Sequence, residues 1–169
     1  MRPAPERRAS LPQIDIQIQS PLWEAQPLAI QTVHDAVATA AAELSTIGGE
    51  ICIVLTDDSA IARLNRDWRG INKPTNVLSF PASGQRGRQG ARLLGDIVIA
   101  YQTLERECET ENRPFLHHLA HLAIHGFLHL SGYDHESDGE AEEMEGLESR
   151  IMMRLNMPDP YVARGSDNA

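Results

Sequence analysis

A chain of 169 residues with 41% hydrophobic content suffices for one domain with a real core, and its two distant cysteines, Cys52 and Cys108, exclude a disulfide framework. Met1–Ser10 lacks the apolar segment of a signal peptide, and no run of about eighteen apolar residues exists to span a membrane, so a reduced, intracellular setting is expected. The formal net charge of -9 argues against a nucleic-acid partner, but it is unevenly spread: Ser59–Arg92 holds seven basic residues and one acid, whereas Asp134–Ser149 holds eight acids and no Lys or Arg.

Residues 1–12 read as a disordered tail, 13–160 as a single domain and 161–169 as a second tail. Ile14, Ile16 and Ile18 alternate with polar residues and predict a half-buried strand, broken by Pro21. Ile30, Val33, Val37, Ala40, Ala41 and Leu44 recur at helical spacing over Leu28–Leu44, and Gly48 and Gly49 stop that helix. Ile51–Leu55 is a continuous apolar run, expected to be a strand buried on both faces, with Cys52 as a small core residue. Thr56–Ser59 is a capping cluster for a helix whose apolar face is Ile61, Leu64 and Trp68, with Arg63 and Arg66 opposite.

A loop over Gly70–Pro74 leads to a short strand, Asn76–Phe80. Ala82–Arg92 is glycine-rich and basic, the pattern of a mobile surface loop. Leu94–Ala100 predicts another strand, Tyr101–Glu111 a charged helix, and Asp138–Leu155 a last helix with Met144, Leu147, Ile151 and Leu155 as its core stripe. The sum is an α+β domain: a small mixed sheet of about four strands covered by about five helices.

The chemistry concentrates in Leu116–His135. Pro114 opens a largely apolar helix in which His125 and His129, four residues apart, share one face. Gly132 then ends the helix, and the turn through Tyr133 and Asp134 can return His135 to the same point. The spacing H-x3-H-x5-H therefore predicts a metal site at a helix C-terminal end, formed by His125, His129 and His135, with one zinc ion and an open position for water. Gly126 stands where the zinc-protease pattern H-E-x-x-H has its glutamate, which counts against a protease and leaves no general base to name. His121 extends the histidine column by one turn and is expected to sit behind the ligands or in the core, His117 in solvent, and His118 against the sheet. Asp134 either orients a ligand or closes the turn, and Ser79 either bonds substrate or satisfies backbone. For a phosphodiester substrate the site would need a cation, and a guanidinium can grip two phosphate oxygens; Arg69 is the candidate for this, although taken alone it reads as a surface arginine, and Lys73 could add a contact.

His125-Gly-Phe-Leu-His-Leu-Ser-Gly-Tyr-Asp-His135 resembles the signature of the YbeY family, bacterial endoribonucleases of ribosomal RNA maturation. The resemblance extends to Lys73–Pro81, Leu94–Ile97 and Glu140–Glu145, and covers most of the chain from about Ile51 to Tyr161. It implies a zinc-dependent, single-strand-specific endoribonuclease that matures the 16S rRNA 3′ end and takes part in 70S ribosome quality control. It further implies a cytoplasmic protein working near the small ribosomal subunit and its associated proteins, with no membrane partner. Under it His125, His129 and His135 are ligands and catalytic, and Arg69 is a cleft arginine needed for activity. Two alternatives stay open from the residues alone: a metal-dependent hydrolase of a peptide or ester, and a zinc-stabilised ribosome assembly factor without catalysis.

Overall fold

The computed structural model describes residues 10–82 and 92–162. The basic loop expected over Ala82–Arg92 therefore lies, between its two end residues, outside the described residues. Four strands, β1 (Gln13–Ile18), β2 (Glu50–Thr56), β3 (Val77–Pro81) and β4 (Leu93–Ala100), form one sheet in the order β1-β2-β4-β3. β1, β2 and β4 run parallel and β3 is antiparallel to β4, so the sheet is mixed. Among the described residues the α-helices are α1 (Ala29–Glu43), α2 (Asp58–Arg69), α3 (Tyr101–Glu111), α4 (Phe115–Leu130) and α5 (Asp138–Arg154). The domain is α+β, as the periodicities predict.

The core lies on one side of the sheet. Ile51, Ile53 and Leu55 of β2 with Ile97 and Ile99 of β4 pack under α1 and α4, and α5 closes the layer with Met144, Leu147, Ile151 and Met152. α4 is apolar nearly all round because it contacts α1, α3, α5, β3 and β4. A short 3-10 turn at Pro21–Ala25, not expected from the sequence, carries the buried Trp23; its indole N–H donates to the Thr56 carbonyl (2.9 Å).

Several expectations change on the far side of the sheet. β2 alternates between buried and half-buried residues, so it is not enclosed on both faces, and Cys52 is half-buried rather than in the core. Among the described residues, α2 and a smaller cluster of Ile61, Leu78, Val98 and Ala100 are what cover that face. Ile61 is buried and Leu64 half-buried, but Trp68 is 71% exposed, because among the described residues no element packs over the last turn of α2. Ile30 likewise faces solvent, while Ala29 and Ala36 join the buried stripe of α1. α1 ends with Ser45 in a left-handed conformation, before the two glycines.

β4 carries a bulge where it meets β2: Glu50 faces Leu93 and Ile51 faces Gly95, leaving Leu94 as the extra residue. Gly95 has φ +144, and a Cβ there would fall 2.4 Å from the Phe80 carbonyl oxygen and 2.7 Å from Leu130 Cδ2. The end of α4 thus rests on β3 and β4 at a point only glycine can occupy. Gly95→Ala is expected to destabilise the fold by about 2 kcal/mol or more, from backbone strain and overpacking together. Urea unfolding followed by circular dichroism measures this; an unchanged midpoint would remove the close approach as a constraint.

Candidate metal centre

The three histidines converge as the spacing predicts. His125 and His129 lie on α4, and Gly132, at φ +96, turns the chain so that His135 returns beside them. The turn is closed by backbone bonds, Gly132 N–H to the His129 carbonyl (3.1 Å) and Tyr133 N–H to the Leu128 carbonyl (3.0 Å). Asp134 takes the turn-closing role: its Oδ1 accepts the His135 N–H (2.8 Å). One nitrogen from each ring lies within 4.8 Å of the others, a group able to hold a metal ion.

The tautomers can be assigned from what stands behind the rings. Glu148 of α5 is 1% exposed, and its Oε1 lies 2.7 Å from His125 Nδ1. Burial alone would raise this carboxyl, but hydrogen bonds from His121, His125 and Tyr161 outweigh it and hold it down at about 2. An ionised carboxylate only accepts, so His125 Nδ1 carries the proton. His129 Nδ1 lies 3.0 Å from the Tyr133 carbonyl, also an acceptor only, and carries a proton too. Burial, and next the neighbouring His125, push His129 below the ordinary histidine value and keep it neutral. With both rings neutral, the two Nε2 atoms present lone pairs to each other at 3.0 Å. A cation between those lone pairs would satisfy both, so the donor set fits a metal with neutral imidazole ligands.

Glu148 is the residue that sequence reasoning missed. It also accepts from His121 Nε2 (2.7 Å) and from the Tyr161 hydroxyl. His121 therefore lies behind His125, one turn back, and is not a ligand. Tyr161, assigned from sequence to the C-terminal tail, folds back because Asp159 Oδ1 accepts both its N–H (2.9 Å) and the Ser149 hydroxyl (2.8 Å). His118 is buried against α3 rather than the sheet, with Nε2 3.0 Å from Glu107 Oε1. His117 is half-buried rather than in solvent.

The triad opens on a cleft of about 750 Å³ between α4, β3 and the end of α2, lined also by Trp68, Arg69, Ser79 and Phe80. Arg69 is exposed there and makes no ion pair or hydrogen bond among the described residues, so its charge is uncompensated. Lys73 is exposed on the following loop, its carbonyl held by the buried Asn65 amide (2.9 Å). Ser79 serves backbone, donating to the Gly126 carbonyl (3.2 Å). Gly126 itself has a steric reason: a Cβ would fall 2.9 Å from Ile97 Cγ2 and 3.1 Å from Ser79 Oγ, so a larger residue fits only if the Ile97 or Ser79 side chain shifts.

Fold and site together define an α+β domain with a helix-borne three-histidine centre of the kind that holds a transition metal. Residues 15–156 match the family described as Endoribonuclease YbeY, and the chain belongs to the YbeY family. A relative of that name from Bradyrhizobium sp. is 52% identical over 163 residues, covering 93% of this chain and 96% of its own. Another from Nitrobacter winogradskyi is 52% identical over 161 residues, covering 92% and 85%. The solution structure of TM1509 from Thermotoga maritima matches with a TM-score of 0.57 at 22% identity, over 93% of this chain and 99% of that one, a likeness of fold alone.

If Glu148 holds the His125 ring in place, Glu148→Gln should weaken zinc or cobalt binding about 10- to 100-fold with secondary structure retained. Competition against a chromophoric chelator reads this directly. Wild-type metal affinity in the variant would assign Glu148 to packing alone.

Proposed function

We propose that this chain is a zinc-dependent, single-strand-specific endoribonuclease, acting in the cytoplasm on ribosomal RNA of the small subunit. Maturation of the 16S rRNA 3′ end and 70S ribosome quality control are the processes it would serve. The observation that carries the reading is one cleft holding both the facing Nε2 atoms of His125 and His129 and the uncompensated Arg69. The naming of its relatives as endoribonucleases supplies the substrate class.

His125, His129 and His135 would hold the ion through ring nitrogens. When bound, zinc supplies Lewis acidity toward a phosphoryl oxygen and lowers the pKa of a bound water. Glu148 and the Tyr133 carbonyl each engage Nδ1 of a ligand ring, which directs its Nε2 toward the ion. Arg69 would grip two phosphate oxygens and hold the scissile group against the triad, with charge developing on those oxygens offset by the guanidinium. Lys73 adds positive potential at the mouth of the cleft. The peptidase alternative lacks its helix glutamate, and the approach of Ile97 to Gly126 disfavours any larger residue at that position.

Freshly purified protein is expected to contain about one zinc per chain, to cleave single-stranded RNA and to spare duplex RNA. Arg69→Ala should reduce cleavage roughly 100-fold or more with metal content unchanged, since the phosphate clamp is lost and the ligands are not. His129→Ala should lose both metal and cleavage. Cleavage by the His129 variant at the wild-type rate would point to a contaminating ribonuclease and remove the reading.

A further inference from the structure

Single exposed apolar side chains are ordinary on protein surfaces. Trp68 is set apart by its position. It is 71% exposed on the last turn of α2, next in sequence to Arg69. Phe80 of β3 meets its ring edge-on, with centroids 5.7 Å apart at 61°, which props the indole while leaving most of it open. Trp68 and Phe80 stand on the wall between two clefts: the metal cleft, and an apolar one of about 660 Å³ floored by Val54, Leu64 and Val98. The cations Arg63, Arg66, Arg69 and Lys73 are exposed on α2 and the loop that follows, accompanied there by one acid beyond the helix start, Asp67, which pairs with Arg66.

We propose that Trp68, propped by Phe80, is a stacking platform for an unpaired nucleobase of the RNA strand whose phosphate Arg69 holds. This rests on the reading that the chain acts on RNA, and names the base-binding subsite of that reaction. An aromatic ring beside a cation that can bind phosphate is the pairing used to bind single strands, because every base has a π-face and every nucleotide a charge. A duplex hides base faces inside its own stack, so a platform of this kind gives a physical origin for single-strand preference. The apolar floor beyond the indole takes the base edge that leaves solvent, and stacking of this type is indifferent to sequence.

The experiment uses the full-length chain carrying His129→Ala, so that a twelve-nucleotide single-stranded RNA survives the titration. Of the two tryptophans, Trp23 is 2% exposed and hydrogen-bonded inside the core, so a change in fluorescence reports Trp68. Saturable quenching by the single strand is expected, with none from the duplex at equal concentration. Trp68→Ala should weaken single-strand binding about 5- to 100-fold, and Trp68→Phe should restore most of it. In the active protein Trp68→Ala should raise KM far more than it lowers kcat, with zinc content unchanged. Wild-type binding by Trp68→Ala, with no quenching in the parent, would overturn the platform and leave the indole as a contact for a protein partner. Quenching by single-stranded RNA, together with a His129-intact, zinc-loaded protein that cleaves no RNA, would instead sink the nuclease reading and leave the platform standing. A Trp68→Ala chain that fails to fold would show in circular dichroism, and the Phe variant then carries the decision.

Discussion

The centre depends on a carboxylate that never reaches the cleft. Glu148 lies in the core layer between α4 and α5, and its two oxygens are taken up by His125, His121 and Tyr161. Burying an unpaired charge there would be prohibitive; burying one with three donors around it yields a fixed acceptor with a defined direction. That direction passes through the His125 ring to its far nitrogen. The same logic, in weaker form, runs from the Tyr133 carbonyl through His129. The geometry at the metal-facing nitrogens is thus set by groups one layer further in, and α5 belongs to the site as fully as the helix that bears the histidines.

The second constraint is proximity. α4 lies close enough to β3 and β4 that Gly126 and Gly95 both mark places where a methyl group has no room. This closeness brings Ser79 to the Gly126 carbonyl and sets the β3 edge against the triad, so that one cleft holds residues from α2, β3 and α4. A helix held off by a larger residue would carry the same imidazoles beside a wider and shallower opening. Glycine where the zinc-protease pattern has glutamate thus suits the packing of α4 on the sheet as well as marking a chemical difference.

Much of this was legible in the residue pattern. Histidine spacing around a glycine helix stop is a local, short-range code, and the triad formed as spacing and turn chemistry dictate. Strand alternation and helix periodicity gave the α+β class because they too are local. Glu148 escaped because it is one of eight acids between Asp134 and Ser149; the clue was its position, four residues after Met144 and adjacent to Leu147, on the stripe that faces the core. Trp68 was misplaced for the opposite reason. Periodicity put it with Ile61 and Leu64, but a helix face is buried only where a partner element extends far enough, and that is a property of the whole sheet. The half-open far face of β2 has the same origin, since apolar runs do not say which side a helix will cover.

The bonds that gather around Glu148 also order the events of synthesis. Arg69 and the α4 histidines leave the ribosome well before α5 and Tyr161, yet until those arrive nothing turns His125 to face His129. A growing chain can therefore hold all of its imidazoles while its ligand geometry is still loose. Any metal held by the three imidazoles would then be gripped fully only after α5 and Tyr161 have folded on, so a partly made chain carries the residues of the centre without its grip.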